Sequence, residues 1–240
     1  MSSLLEIDDL HASIDNVPVL RGISLAVDEG ETVALIGRNG AGKTTTFRSI
    51  MGLITPSSGT ISVRGTDVTA EPPHERPALG LGIAPEDRRL FEHLSVRDNL
   101  QIAAWGTEER SDMEFDDIVE RVTGIFPEMN NFLDRPAAQL SGGQQKMVAI
   151  GRAIAGDPDL VLLDEPFEGL APSVRDQLIQ GISRIQDLGV SILVAESNIR
   201  YAERTAEQFY VIERGEIQAD ITDPDNLLEH ETIRRIFEGA

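Results

Sequence analysis

The chain contains no cysteine, which excludes disulfides, thiol chemistry and thiolate metal sites. Long apolar stretches are missing as well. Runs such as Leu160–Leu163 and Ile192–Ala195 stop after four residues, whereas a bilayer-spanning helix needs about 20, so no membrane span is expected. The opening M-S-S-L-L-E-I-D-D lacks the basic patch and apolar core of a secretory signal, and a cytoplasmic location is expected. Positive charge is scarce: 21 Lys and Arg stand against 41 Asp and Glu, for a net charge of −20 and a pI near 4.5. Only Lys43 and Lys146 are lysines; the other cations are arginines.

An acidic surface repels nucleic acid and anionic lipid, so no nucleic-acid partner is expected. Two readings of the charge stand side by side. One is a merely acidic protein. The other is adaptation to high salt, where the Debye length shrinks to about 3 Å at 1 M and self-repulsion is screened. With 240 residues, 40% of them hydrophobic, the chain is long enough for a proper core.

Strand-like runs occupy the first third: Leu5–Ile7, Ile23–Val27, Thr32–Ile36 and the alternating T-I-S-V-R that ends at Gly65. Asp28-Glu29-Gly30 reads as a turn, and Pro72, Pro73 and Pro77 mark an exposed loop. Residues 95–157 read as mainly helical, with a charged stretch E-E-R-S-D-M-E-F-D-D. Strands and helices alternate from Asp159: a strand over Leu160–Leu163, a helix after Pro172, a strand over Ser191–Ala195 and a helix from about Ile199. This pattern predicts an α/β fold with a parallel sheet and crossovers, into which the helical middle is inserted. Tyr210–Ile212 and Glu216–Gln218 flank Arg214-Gly215 as a hairpin.

Residues 37–44 read G-R-N-G-A-G-K-T, matching G-x-x-x-x-G-K-[ST] directly after the apolar run Val33–Ile36. The glycines let backbone N–H groups surround phosphate oxygens. Lys43 can reach the β- and γ-phosphates, and the Thr44 hydroxyl can ligate Mg²⁺. The helix that starts here points its positive end at the anion. Nucleotide binding is therefore expected at Gly37, Arg38, Asn39, Gly40, Ala41, Gly42, Lys43, Thr44 and Thr45. Residues 160–166 read L-V-L-L-D-E-P, a buried strand that ends in two carboxylates. Asp164 is placed to hold Mg²⁺ through water, and Glu165 to accept a proton from attacking water. Residues 140–145 read L-S-G-G-Q-Q. A capping box accounts for Ser141 and Gln144 but not for Gly142 and Gly143, which leave amides at a helix N-terminus open to an anion.

Together the three motifs resemble the ATP-binding cassette (ABC) family: L-S-G-G-Q its signature, G-R-N-G-A-G-K-T its Walker A and L-V-L-L-D-E its Walker B. Within it, the stretches P-E-D-R-R-L-F-E-H-L-S-V-R-D-N-L, S-G-G-Q-Q-K-M-V-A-I-G-R-A and E-G-L-A-P are similar to ATPase subunits of branched-chain amino acid importers, with relatives serving urea and amides. The resemblance implies a P-loop NTPase-type parallel sheet core (1–84 and 158–240) with an N-terminal antiparallel β subdomain and an inserted helical signature subdomain (85–157). It implies ATP and Mg²⁺ as cofactors. Two cassettes, more often different than identical, would stack head to tail, with Ser141, Gly142, Gly143 and Gln144 facing the partner's nucleotide. Membrane permease subunits would dock near residues 85–98, where Arg88, Arg89 and Arg97 are expected to supply local positive charge. The subunit would sit peripherally on the inner face of the membrane and make no contact with the solute.

Three positions depart from the family pattern. Ile14 stands where an aromatic usually stacks on adenine, at a loss of about 0.5–1.5 kcal/mol. Glu86 stands for the usual Gln near the metal and the water, and a carboxylate can still ligate Mg²⁺. Ser197, in L-V-A-E-S-N, stands where a His usually bonds the γ-phosphate. A lost bond to a charged phosphate costs about 1.5–3 kcal/mol, or roughly 10- to 150-fold in rate, part of which Asn198 or a water would recover. Slow but real hydrolysis is expected, with Glu165 as base and Ser197 assisting. Two alternatives stay open: a soluble cassette ATPase outside transport, and an ATP-gated module with little turnover. No N-K-x-D motif for guanine is present, which argues against a GTPase.

Overall fold

The first two strands are long and form a hairpin. β1 (Ser3–Ile14) pairs antiparallel with β2 (Val17–Asp28). Asp15 and Asn16 at its tip both adopt positive φ, the conformation that a two-residue hairpin turn demands and that Asp and Asn tolerate. β4 (Ser58–Val63) and the short β5 (Thr66–Asp67) complete a four-stranded antiparallel sheet in the order β2-β1-β4-β5. The computed structural model describes residues 3–107, 110–111, 113–222 and 224–238. Glu108, Glu109 and Asp112 of the charged stretch lie outside the described residues.

A second sheet carries the site. Its six strands run in the order β10-β9-β3-β8-β7-β6: β3 (Thr32–Ile36), β6 (Leu81–Ala84), β7 (Leu160–Asp164), β8 (Ser191–Glu196), β9 (Gln208–Glu213) and β10 (Glu216–Ile221). All neighbours are parallel except β9 and β10, which form the expected hairpin. Every residue of β3, β7 and β8 is buried, as a parallel sheet covered on both faces requires. Alternate side chains divide between the two sides. Leu160 and Leu162 face a core shared with the antiparallel sheet, Phe47 and Ile50. Val161 and Leu163 face a core shared with the helices, including Phe126, Met147 and Ile150. Strand β6 is absent from the sequence reading: L-G-I-A is four residues long, carries a glycine and lies between prolines.

The helical layer comprises α2 (Val96–Trp105), α3 (Phe115–Ile125), α4 (Gly142–Ala155) and α5 (Pro172–Asp187). Capping boxes start two of them. Ser95 and Asp98 close α2, and Ser141 and Gln144 close α4, each satisfying two amide donors that the first helical turn leaves free. Helix α1 (Lys43–Ile50) differs, because Gly42 precedes it and gives no side-chain cap. Its first amides are left for another acceptor. The short α6 (Ile199–Glu203) is capped by Asn198, whose Oδ1 accepts from Arg200 N. Among the described residues no helix is long and apolar enough to cross a membrane.

Candidate nucleotide site

The carboxyl ends of β3, β8 and β7 lie side by side: Ile36 pairs with Glu196, and Asp164 with Ala195. Chain that leaves parallel strands at this end forms the usual ligand crevice of an open α/β sheet. Here it brings together segments more than 100 residues apart in sequence. They surround a cavity of about 450 Å³, lined by Asn39, Gly40, Gly42, Lys43, Thr44 and Thr45 from the glycine loop, by Glu86, by Glu165 and Glu168, and by Val19.

The glycine loop is tightly packed. A Cβ on Gly37 would stand 2.4 Å from the Ile212 carbonyl, and Gly42 has φ of 122°, so neither position accepts a side chain without displacement. Lys43 folds back over the loop. Its ammonium donates to the Gly37 carbonyl at 2.7 Å and the Arg38 carbonyl at 3.4 Å, and it stands 3.0 Å from Glu165 Oε1 as an ion pair. Both side chains are almost fully buried. Glu165 itself has φ of 44°, a left-handed conformation that costs a non-glycine residue about 1–2 kcal/mol. Its amide continues the ladder to the Ala195 carbonyl at 3.0 Å. Its Oε2 accepts from the Ser197 amide at 3.2 Å and from the Ser197 hydroxyl at 3.1 Å. Ser197 therefore holds Glu165, a contact absent from the sequence reading. Asn198 caps α6 through its Oδ1, which leaves the cap independent of the Nδ2 donors that would assist at a phosphate.

Three candidate metal ligands can be weighed on this geometry. The Thr44 hydroxyl donates to Asp164 Oδ1 at 3.3 Å. The Asp164 carboxyl is pushed up to about 6, first by burial and then by the charges of Glu86 and Glu165, against the Thr44 bond. Negative charge is thus in excess beside a hydroxyl. That fits a divalent cation bound through one or two carboxylates together with phosphates. Glu168, hydrogen-bonded to Glu86, is raised by that bond and by burial. Behind Glu165 lies Glu196, about 1% exposed. One of its oxygens accepts from the Asn198 amide at 3.3 Å, while Oε1 has no hydrogen-bond partner among the described residues. Burial, then the charge of Glu165, pushes the Glu196 carboxyl to about 8.

Not every expected residue joins the cavity. Ile14 ends β1 at the hairpin tip, 40% exposed, and Val19 is the aliphatic residue that lines the cavity instead. Ser141, Gly142, Gly143 and Gln144 lie outside its lining, at the start of α4. The Ser141 hydroxyl oxygen accepts from the Gln144 amide at 3.3 Å, a bond that does not use its proton. Gly143 has a packing reason to be glycine, since a Cβ there would stand 2.6 Å from Val174 Cγ1 of α5. A Cβ on Gly142 would meet the Arg88 guanidinium at 3.4 Å. The three arginines expected to supply docking charge have local partners: Arg88 donates to the neutral Gln145 at 2.9 Å, Arg89 pairs with Asp87 at 2.9 Å, and Arg97 with Asp116 and Asp134 at 3.7 Å, the last two at exposed positions. Glu168, Val19 and Glu196 were missed because only folding brings them to the other motifs.

Comparison with known proteins follows the same lines. Residues 20–168 match the family model described as ABC transporter. The chain is 33% identical to the high-affinity branched-chain amino acid transport ATP-binding protein BraG of Pseudomonas aeruginosa over 237 residues, covering 99% of this chain and 100% of that protein. It is also 33% identical to the lipopolysaccharide export system ATP-binding protein LptB of Escherichia coli over 223 residues, covering 92% and 91%. Identity to the probable branched-chain amino acid transport ATP-binding protein LivF of Archaeoglobus fulgidus is 31% over 231 residues, covering 96% of each. Among solved structures, an ATP-binding subunit of an ABC transporter superposes with a TM-score of 0.81 at 31% identity, covering 96% and 94%. An ATP-binding cassette in its ADP conformation superposes with 0.84 at 24% identity over the whole of both chains, which speaks for the fold.

Proposed function

The chain belongs to the ABC transporter family, and on that premise we propose that it energises an importer of branched-chain amino acids or related small polar solutes. That it is an ATP-binding subunit and an ATPase, working with membrane permease subunits, follows from the family. The solute rests on the BraG and LivF relatives. LptB, at the same identity, supports a second reading in which the subunit drives export of a lipid-linked substrate.

The observation that carries the ATPase reading into residues is the convergence of Lys43, Thr44 and Glu165 on one cavity, with the buried Asp164 hydrogen-bonded to Thr44 behind it. The uncapped amides of α1 receive phosphate oxygens. Lys43 leaves Glu165 and turns to the β- and γ-phosphates. Glu165, released from the ion pair but still held by Ser197, takes the proton of the attacking water. Thr44, Asp164 and Glu86 would hold Mg²⁺, which would supply charge neutralisation at the phosphates. Residues 85–157 act as the signature subdomain, and a second, non-identical cassette presents its phosphate to Ser141–Gln144 of this one.

The permeases dock on the groove that Phe47, Arg48, Leu53, Ile83 and Arg152 line beside the 85–91 loop. Leu53, 51% exposed, offers an apolar anchor there beside Arg89, which lines the same groove. Docking makes the subunit peripheral to the cytoplasmic face of the membrane. The surplus of carboxylates suits a salty cytoplasm. Phosphate release from the purified chain, abolished by Lys43→Ala, tests the ATPase site. Reconstitution with permease subunits of the amino acid import and the lipopolysaccharide export type, assayed with leucine and with a lipid-linked glycan, tests the solute. Stimulation by the glycan alone would overturn the importer reading.

A further inference from the structure

Lys146 is one of only two lysines in the chain, and like Lys43 it is buried at this site. Its ammonium donates to two carbonyls from different segments: Glu86 O at 3.2 Å, on the loop after β6, and Asp164 O at 3.3 Å, at the end of β7. Both carbonyls belong to residues whose side chains are candidate metal ligands. Lys146 itself lies on α4, in the turn after Ser141–Gln144.

Neighbouring contacts bind the same loop to the same helix. Arg152 of α4 donates to the Arg88 carbonyl at 3.0 Å and the Arg89 carbonyl at 2.6 Å. Arg88 donates back to Gln145 at 2.9 Å. Arg88 and Arg89 are both left-handed, with φ of 63° and 47°, a conformation that persists only where the surroundings impose it. A compact ammonium with three rotatable donors joins the two carbonyls at a single point.

We propose that Lys146 is a positioning residue that fastens the first turns of α4 to the Glu86 loop and to the end of β7. A nucleotide at Thr44 and Asp164 and an anion at Ser141–Gln144 then act on one clamp. The two phosphate-binding faces of a single subunit are thereby mechanically joined. The idea rests on the proposed nucleotide site, but the clamp itself can be tested without nucleotide.

The experiment is hydrogen exchange by mass spectrometry on the purified full chain, at concentrations where sedimentation shows a monomer, with and without Mg·ADP. In the parent, Mg·ADP slows exchange at residues 40–46 and also at 86–89 and 142–146. In Lys146→Met, protection at 40–46 persists and the response at 142–146 disappears. ADP affinity in EDTA changes by less than about 2-fold, while the gain from Mg²⁺ falls about 10- to 100-fold, the usual cost of losing a group that orients metal ligands. Should the Met variant not fold, Lys146→Gln, which keeps a donor without the charge, is expected to show the same loss in part. A variant that responds at 142–146 as the parent does overturns the proposal, as does a parent with no response there. If the parent binds no ADP, the nucleotide reading fails. Exchange at 86–89 without nucleotide then decides the clamp alone: faster in the variant supports it, unchanged overturns it.

Discussion

The Ser197 hydroxyl donates to Glu165 Oε2 at 3.1 Å, and the Ser197 amide donates to the same oxygen at 3.2 Å. The residue expected to touch the γ-phosphate therefore also orients the expected base. Ser197→Ala removes the hydroxyl bond and keeps the amide bond. A loss of about 0.5–1.5 kcal/mol, or roughly 2- to 13-fold in kcat, is expected in steady-state phosphate release. Ser197→His adds a ring able to reach the phosphate while its amide still holds Glu165, and should be at least as fast as the parent. A large loss in the His variant would refute the phosphate-contacting role and leave Ser197 as the residue that orients Glu165.

Glu165 and Lys43 neutralise each other across 3.0 Å, so a nucleotide must separate them. Glu165→Gln frees Lys43 and removes the base. Turnover should fall by about 10²- to 10⁴-fold, while ATP affinity by calorimetry holds or rises. Unaltered turnover would remove Glu165 from the mechanism.

Glu196 makes folding stability depend on pH. Its folded carboxyl titrates at about 8 against 4.5 in the unfolded chain, so the folded state binds the extra proton between those values. The stability it permits is complete below about 4.5 and is lost as pH rises through about 8. The urea midpoint of the nucleotide-free parent should fall between pH 6 and 9. Glu196→Gln should flatten that fall and be the more stable protein at pH 9. A midpoint in the Gln variant that tracks the parent at every pH would show that Glu196 is ionised throughout.

Gly143 tests packing against anion binding. Gly143→Ala places a Cβ against Val174, and overpacking of this kind costs about 1–3 kcal/mol, or roughly 2–4 °C per kcal/mol in Tm for a chain of this size. Adding Val174→Ala should restore Tm. If dimer-dependent hydrolysis recovers with it, Gly143 serves packing alone. Continued loss supports the phosphate face.

The high-salt reading has its own measurement. Carboxylates outnumber cations 41 to 21, and pairs such as Arg89–Asp87 and Arg204–Asp176 are exposed, where an ion pair stabilises by about 1 kcal/mol or less. Far-UV circular dichroism should show loss of structure on dialysis from molar salt into dilute buffer. An unchanged spectrum would leave the protein merely acidic.

The fold was legible where its signals are local. Four apolar residues before Asp164, a Ser and a Gln three apart at 141 and 144, and a glycine at each tight point of 37–42 announce a strand, a capped helix and a phosphate loop. Strand β6 and the full length of β1 and β2 were not legible. Their residues alternate imperfectly: β1 carries Glu6, Asp8 and Asp9, and its pairing with β2 shifts register several times.

Sequence by itself determined the chemistry on offer: a lysine, a hydroxyl and carboxylates on glycine-loop and strand-end segments, with no thiol. Each of those motifs is encoded in a few consecutive residues. Only the tertiary structure decided which groups meet. The order β3-β8-β7 sets Ser197 beside Glu165 and Glu196 behind it, moves Val19 rather than Ile14 to the cavity, and lays Lys146 across the Glu86 and Asp164 carbonyls. The reason is physical: strand neighbours in a parallel sheet are joined by long crossovers, so proximity at their ends depends on how the whole chain packs.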